Sequence, residues 1–151
     1  MIATSPRPTA RNWGTLSFAS TLYLCPILDL LLAEVPERWR SQLRLGLQEA
    51  LVNAAKHGNN LDPSKKVLVR FSLVDNQYWW IISDQGSGFS PPGSQLNACH
   101  KTLPCEENEC GRGLFILHQI FDEVQWNPEG TELRLGKQVT RSRFSLLMNR
   151  H

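Results

Sequence analysis

A chain of 151 residues, 41% of them apolar, has material for one domain with its own core. Sixteen Lys and Arg against fourteen Asp and Glu leave a net charge of +2, so no strong field calls for nucleic acid or an anionic membrane. Four cysteines without a C-x-x-C pair exclude the common zinc frameworks and read as free thiols of a reducing compartment.

Residues 1–12 are polar and proline-punctuated, lack the apolar core of a secretory signal, and read as a flexible leader. Trp13 to Ser20 has strand character through Trp13, Leu16 and Phe18. Thr21 to Leu32 reads as an amphipathic helix opening near Pro26, with Pro36 ending the segment. The apolar run here is broken by Pro26 and Asp29 and falls short of the roughly 20 residues that span a bilayer. A cytoplasmic protein without a membrane partner is expected. Glu37 to His57 is the strongest predicted helix, with Leu43, Leu47, Leu51 and then Ala54 or Ala55 forming a core stripe that stops at Gly58. Core packing accounts for the leucines but not for Glu49, Asn53 and His57. At i, i+4 and i+8 these three are expected to share a second face and present a carboxylate, an amide and an imidazole to one ligand.

Asp62-Pro63-Ser64 is a turn, Val67 to Leu73 alternates as a half-buried strand, and Asp75-Asn76-Gln77 leads tightly into a second strand from Tyr78 to Ser83. Trp79 and Trp80 then point to opposite faces of that hairpin. Ser90 to Cys110 is rich in Pro, Gly, Ser, Asn and Cys without any period, which suits a lid. Cys99, His100, Cys105 and Cys110 fall within it. A metal clamp there is one alternative, but the spacing matches no ligand pattern and free thiols are the preferred reading. Gly113 to Phe121 returns to helical spacing through Leu114, Leu117, Ile120 and Phe121. Two strands, Val124 to Trp126 and Thr131 to Leu135, flank the turn Asn127-Pro128-Glu129-Gly130. Arg141, Arg143 and Arg150 mark a solvated tail, giving a domain over 13–140 between the leader and a tail over 141–151.

Three polar clusters carry the chemistry. Asp84 follows an apolar strand and precedes Gly86, Gly88 and Phe89. A carboxylate there can accept a hydrogen bond from an exocyclic amine such as that of adenine, and glycines let a flat ring approach the backbone. Gly111-Arg112-Gly113 opens a helix, where unobstructed amides and the helix dipole suit phosphate. Asn53 offers a hard oxygen for magnesium, and Glu49 one turn earlier can orient or deprotonate a hydroxyl. Taken singly, each is a plain turn, a helix boundary or surface decoration. Neither the Walker loop nor the dinucleotide fingerprint is present. Together, in this order, the clusters point to a nucleotide pocket.

The series Glu-x-x-x-Asn-Ala-x-x-His-Gly-Asn, Asp-x-Gly-x-Gly-Phe, Gly-Arg-Gly-Leu and Gly-Thr-x-Leu resembles the GHKL (Bergerat-fold) ATPases, and within them the bacterial anti-sigma-factor serine/threonine kinases. The likeness covers roughly Trp13 to Val139. It implies an α/β (α+β) two-layer sandwich, a mixed, mostly antiparallel sheet with helices on one face, binding ATP with Mg2+. By position it implies Asn53 as magnesium ligand, Glu49 as general base and Asp84 at the adenine amine beside Gly86, Gly88 and Phe89. Gly111, Arg112, Gly113 and Leu114 would then lie at the phosphates, Thr131 would support the nucleotide from an adjoining strand, and His57 would contact ligand or cap its helix. The chain departs from the pattern at Glu109 and Cys110, where some relatives carry a basic residue. The implied partners are a STAS-type anti-anti-sigma substrate and a sigma factor, with a homodimer left open. The rival expectations are an ATP-gated switch without transfer and a metal sensor built on the lid cysteines. With no upstream phospho-acceptor helix, a complete sensor histidine kinase is not expected.

Overall fold

The computed structural model describes residues 13–88 and 113–138. The leader, the lid over 90–110 and the tail lie outside the described residues.

Strand β1, Gly14–Ala19, alternates between half-buried and exposed positions as the strand period requires. Helix α1, Cys25–Leu31, carries Pro26 in its first turn, where a missing N–H is harmless. It starts later than Thr21 because the Thr21 hydroxyl accepts the Tyr23 amide at 3.1 Å, a local turn that competes with helix. Pro36 does not end it. The helix closes at Leu31, Arg40 donates to the carbonyls of Val35 (2.8 Å) and Ala33 (3.3 Å), and Pro36 serves as the N-cap residue of α2, Glu37–Val52.

Leu43, Gly46, Leu47, Ala50 and Leu51 line the buried face of α2, as the leucine period predicts. The predicted continuation to His57 is corrected: α-helical winding stops at Val52, and Asn53–Gly58 forms a π-helical turn. Its wide loop closes where the Asn59 amide reaches back to the Ala54 carbonyl at 2.9 Å and the Leu61 amide to that of Ala55 at 2.8 Å.

Strands β2, Lys66–Val74, and β3, Gln77–Ser83, meet at Asp75 and Asn76, whose φ angles of 51° and 64° match the left-handed pair of a two-residue hairpin. A third helix, α3, runs over 113–120, followed by β4, Glu123–Trp126, and β5, Glu132–Gln138. The sheet order is β1-β2-β3-β5-β4, and every pairing among the described residues is antiparallel. One face of this sheet, through Val67, Val69, Trp80, Ile82, Leu133 and Leu135, shares a single core with leucines of α1 and α2 and with Leu117 and Ile120 of α3. That is the two-layer sandwich the resemblance implies. Trp80 turns inward and meets the Phe121 ring edge-on at 5.9 Å, while Trp79 sits half-buried on the other face.

Gly46 decides how closely α2 and α3 approach. A Cβ built on it would lie 2.6 Å from the Phe121 ring and 3.1 Å from an Ile120 methyl. Removing a mid-helix glycine gains about 1 kcal/mol of helix propensity, whereas overpacking a core costs about 1–3 kcal/mol. Gly46→Ala is therefore expected to lower stability by about 1 kcal/mol in urea denaturation, and a stabilised variant would contradict this packing.

Candidate functional site

Two groups of residues gather along the last turn of α2 and the π-helical turn that follows it. The first spans the end of α2 and the first residue of the π-helical turn. Glu49 and Asn53, four residues apart and both half-buried, stand beside Gly113 of α3. A Cβ on buried Gly113 would lie 3.3 Å from Glu49 Oε2, 3.5 Å from Asn53 Nδ2 and 3.9 Å from Asn53 Oδ1. Gly113 thus lies beside two polar residues some sixty positions earlier in the chain. Because Gly113 abuts Glu49 and Asn53 while Ile120 and Phe121 abut Gly46, α3 runs back along α2 with Gly113 at the Asn53 end. His57 lies within the π-helical turn and is exposed. Leu114 is half-buried against the core. Phe89, Gly111 and Arg112 lie outside the described residues.

The second group gathers where β3 ends. The Asp84 amide donates to the Thr131 carbonyl at 3.0 Å, and Asp84 Oδ1 accepts the Gly86 amide at 2.9 Å. Close approach explains the glycines here. A Cβ on Gly58 would run into the Asp84 carboxylate, one on Gly86 into the Gly58 carbonyl, and one on Gly88, at φ +83°, into the Glu129 carbonyl. Thr131 is held from both sides by Asn127: Oδ1 accepts the Thr131 amide at 2.8 Å and Nδ2 donates to the Thr131 hydroxyl at 3.0 Å.

Beneath this group lies the last residue of the Glu-x-x-x-Asn-Ala-x-x-His-Gly-Asn series, to which the sequence assigned no role of its own. Asn59 is wholly buried. Its Nδ2 donates to Ser20 Oγ at 2.8 Å and to the Lys66 carbonyl at 2.9 Å, while Oδ1 accepts the Gln85 amide at 2.7 Å. Gln85 in turn accepts the Lys66 amide on its side-chain oxygen at 2.7 Å. One side chain so joins the ends of β1, the helix, β2 and β3. Its partners lie up to 39 residues away, and no local pattern marks it.

Burial pushes the Asp84 carboxyl above its ordinary value, opposed by the Gly86 hydrogen bond and the Lys65 charge. The site thus has an acceptor carboxylate beside glycine backbone at one end. At the other it has a side-chain amide and a second carboxylate beside Gly113. No cluster of three or more His, Cys, Asp or Glu suited to a metal occurs among the described residues, and Cys25 is exposed. The cysteine-rich lid cluster lies outside them.

The model of the histidine kinase-like ATPase domain matches residues 28–137, from α1 through β5 and across both groups. The chain is 29% identical over 106 residues to the anti-sigma F factor of Geobacillus sp. (strain WCH70), covering 68% of this chain and 72% of that protein. To the anti-sigma F factor of Bacillus subtilis (strain 168) it is 28% identical over 106 residues, with the same coverage. To the serine-protein kinase RsbW of Oceanobacillus iheyensis it is 26% identical over 101 residues, 64% of each chain.

The raised carboxyl of Asp84 gives a signed prediction. A group whose folded pKa exceeds its unfolded one stabilises the fold in acid and loses that contribution as pH rises through the folded value. Asp84→Asn keeps the acceptor for Gly86 and does not titrate. Its melting temperature relative to the parent is expected to rise between pH 3.5 and pH 7, roughly the span above the unfolded aspartate value. A relative loss of stability toward neutral pH would show that the carboxylate is favoured by folding instead.

Proposed function

The chain belongs to the histidine kinase-like ATPase family, and from that premise we propose that it binds ATP in the cleft between α2 and the Asp84 loop and acts as an anti-sigma-type serine/threonine protein kinase. The observation that supports this best is the meeting of Gly113 with Glu49 and Asn53. A glycine of α3, a side-chain amide and a carboxylate there come together at the end proposed for the phosphate tail.

In this reading Asp84 accepts the adenine amine, Gly86 and Gly88 let the ring lie against backbone, and Thr131 backs that wall through its bond to Asp84. Asn53 is half-buried near Gly113, and its Oδ1 is a hard oxygen of the kind that fits magnesium. When bound, Mg2+ supplies charge neutralisation along the phosphates. Glu49 orients the acceptor hydroxyl and takes its proton as the oxygen attacks the γ-phosphorus, the bond to the β,γ-bridging oxygen breaks, and ADP leaves. Positioning and electrostatics provide most of the rate. Anti-sigma F factor and serine-protein kinase RsbW are the names of the relatives. By likeness, the acceptor proposed here is a serine or threonine of a STAS-type anti-anti-sigma protein, and a sigma factor is the protein sequestered. No described helix is long and apolar enough to cross a membrane.

Two variants separate binding from transfer. Glu49→Ala is expected to keep Mg-ATP binding while label transfer from γ-labelled ATP to the anti-anti-sigma proteins of the same organism falls by roughly 100-fold or more. Asn53→Ala is expected to lose both, read by calorimetry and the same transfer assay. Undiminished transfer by the Glu49 variant removes the base. Binding without transfer by the parent leaves an ATP-gated switch.

A further inference from the structure

We infer that Asn59 is the positioning residue for base recognition: it sets the direction of the Asp84 carboxylate, and thereby the preference for adenine, without touching the nucleotide. The inference rests on the ATP reading above and concerns a residue with no assigned role in it.

The geometry leaves this amide one orientation. The Lys66 carbonyl can only accept and the Gln85 amide can only donate, so Nδ2 must face the first and Oδ1 the second. With Nδ2 held on two partners, Oδ1 is a fixed point for the Gln85 peptide. That peptide joins Asp84 to Gly86. The Asp84 backbone is already tied to Thr131 and its carboxylate to the Gly86 amide, so the Gln85 peptide sets the remaining freedom of the loop. Opposite it, the Gly58 carbonyl leaves no room for a shift toward the helix. Loss of the Asn59 contact would let the loop relax outward and turn the carboxylate off the plane of the base. An acceptor aimed at an amine discriminates only while its direction is held.

Inosine triphosphate carries an oxygen where adenosine triphosphate carries the amine, so the ratio of the two affinities reads the direction of Asp84 and not overall stability. Calorimetry with each magnesium nucleotide is compared for the parent, Asn59→Ala, Ser20→Ala and Gly46→Ala. Ser20→Ala removes one anchor of the amide and keeps the fold accessible should Asn59→Ala not fold. The parent is expected to prefer ATP by about tenfold or more, and Asn59→Ala to bring the ratio within about threefold of one, chiefly through weaker ATP binding. Ser20→Ala should fall between them. Gly46→Ala, destabilised far from the loop, should keep the parental ratio. If Asn59→Ala or Ser20→Ala melts earlier yet keeps the parental ratio, Asn59 is structural only and the inference is overturned while the ATP reading stands. If the parent shows no heat with Mg-ATP, the ATP reading itself falls and takes this inference with it.

Discussion

The carbonyl of Gly58 lies against the backbone of Gly86 with no space for a side chain between them, and the arrangement of the cleft depends on that contact. It brings the run of chain that begins as α2 onto the loop that ends β3. Because Asn53 and Gly58 belong to one hydrogen-bonded turn, the distance between the Asn53 end and the Asp84 end is set by six residues of helix. A side chain at either glycine would widen the gap, and the two ends would lose their common register. Glycine is required at these positions for proximity, while at Gly88 a φ of +83° is a second, independent demand.

Holding a carboxylate in such a place has a cost, and the local bonds are arranged against it. Desolvation disfavours the charged form of Asp84, whereas the Gly86 amide and the Lys65 charge favour it. The ion pairs on the outer sheet face work at longer range and in solvent. Glu132 stands 3.8 Å from Arg70 and 3.9 Å from Arg134, all partly exposed, and such pairs contribute at most about 1 kcal/mol each. Rigidity of the site therefore comes from buried backbone ties, above all those of Asn59, and not from surface charge.

What could be read in the sequence, and what could not, divides along range. The leucines of α2, the alternation of β2 and the inward turn of Trp80 are periodic signals carried by neighbours in the chain, and they place those elements to within a few residues. The asparagine and glutamate of α2 and the glycine of α3 could be paired because each cluster had its own recognisable chemistry. Pro36 was legible as a boundary but not as which one, since a φ of −56° suits a helix entrance and a proline can equally follow a helix end. The π-helical turn and Asn59 were illegible. The turn is closed by backbone bonds from Asn59 and Leu61, and the Asn59 side chain is held by Ser20, Lys66 and Gln85, partners that nothing near it in the sequence announces.

The same helix serves core and cleft, and the α-helical period keeps the two duties apart. Leu47 and Leu51 are fully buried on one side while Glu49 and Asn53 look toward Gly113 on another. Moving Asn53 along the cleft would require sliding two closely packed leucines, which a core at crystal-like density resists. Beyond Val52 the stripe continues only as Ala54 and Ala55, small residues that stay buried while the winding widens. Small side chains at these positions fit the core on either side of the change in winding. The widened turn places the Gly58 carbonyl, and with it the wall facing Asp84, at a height an α-helical turn would not reach. The Asn53 end and the Asp84 end of the site are thus joined through one turn.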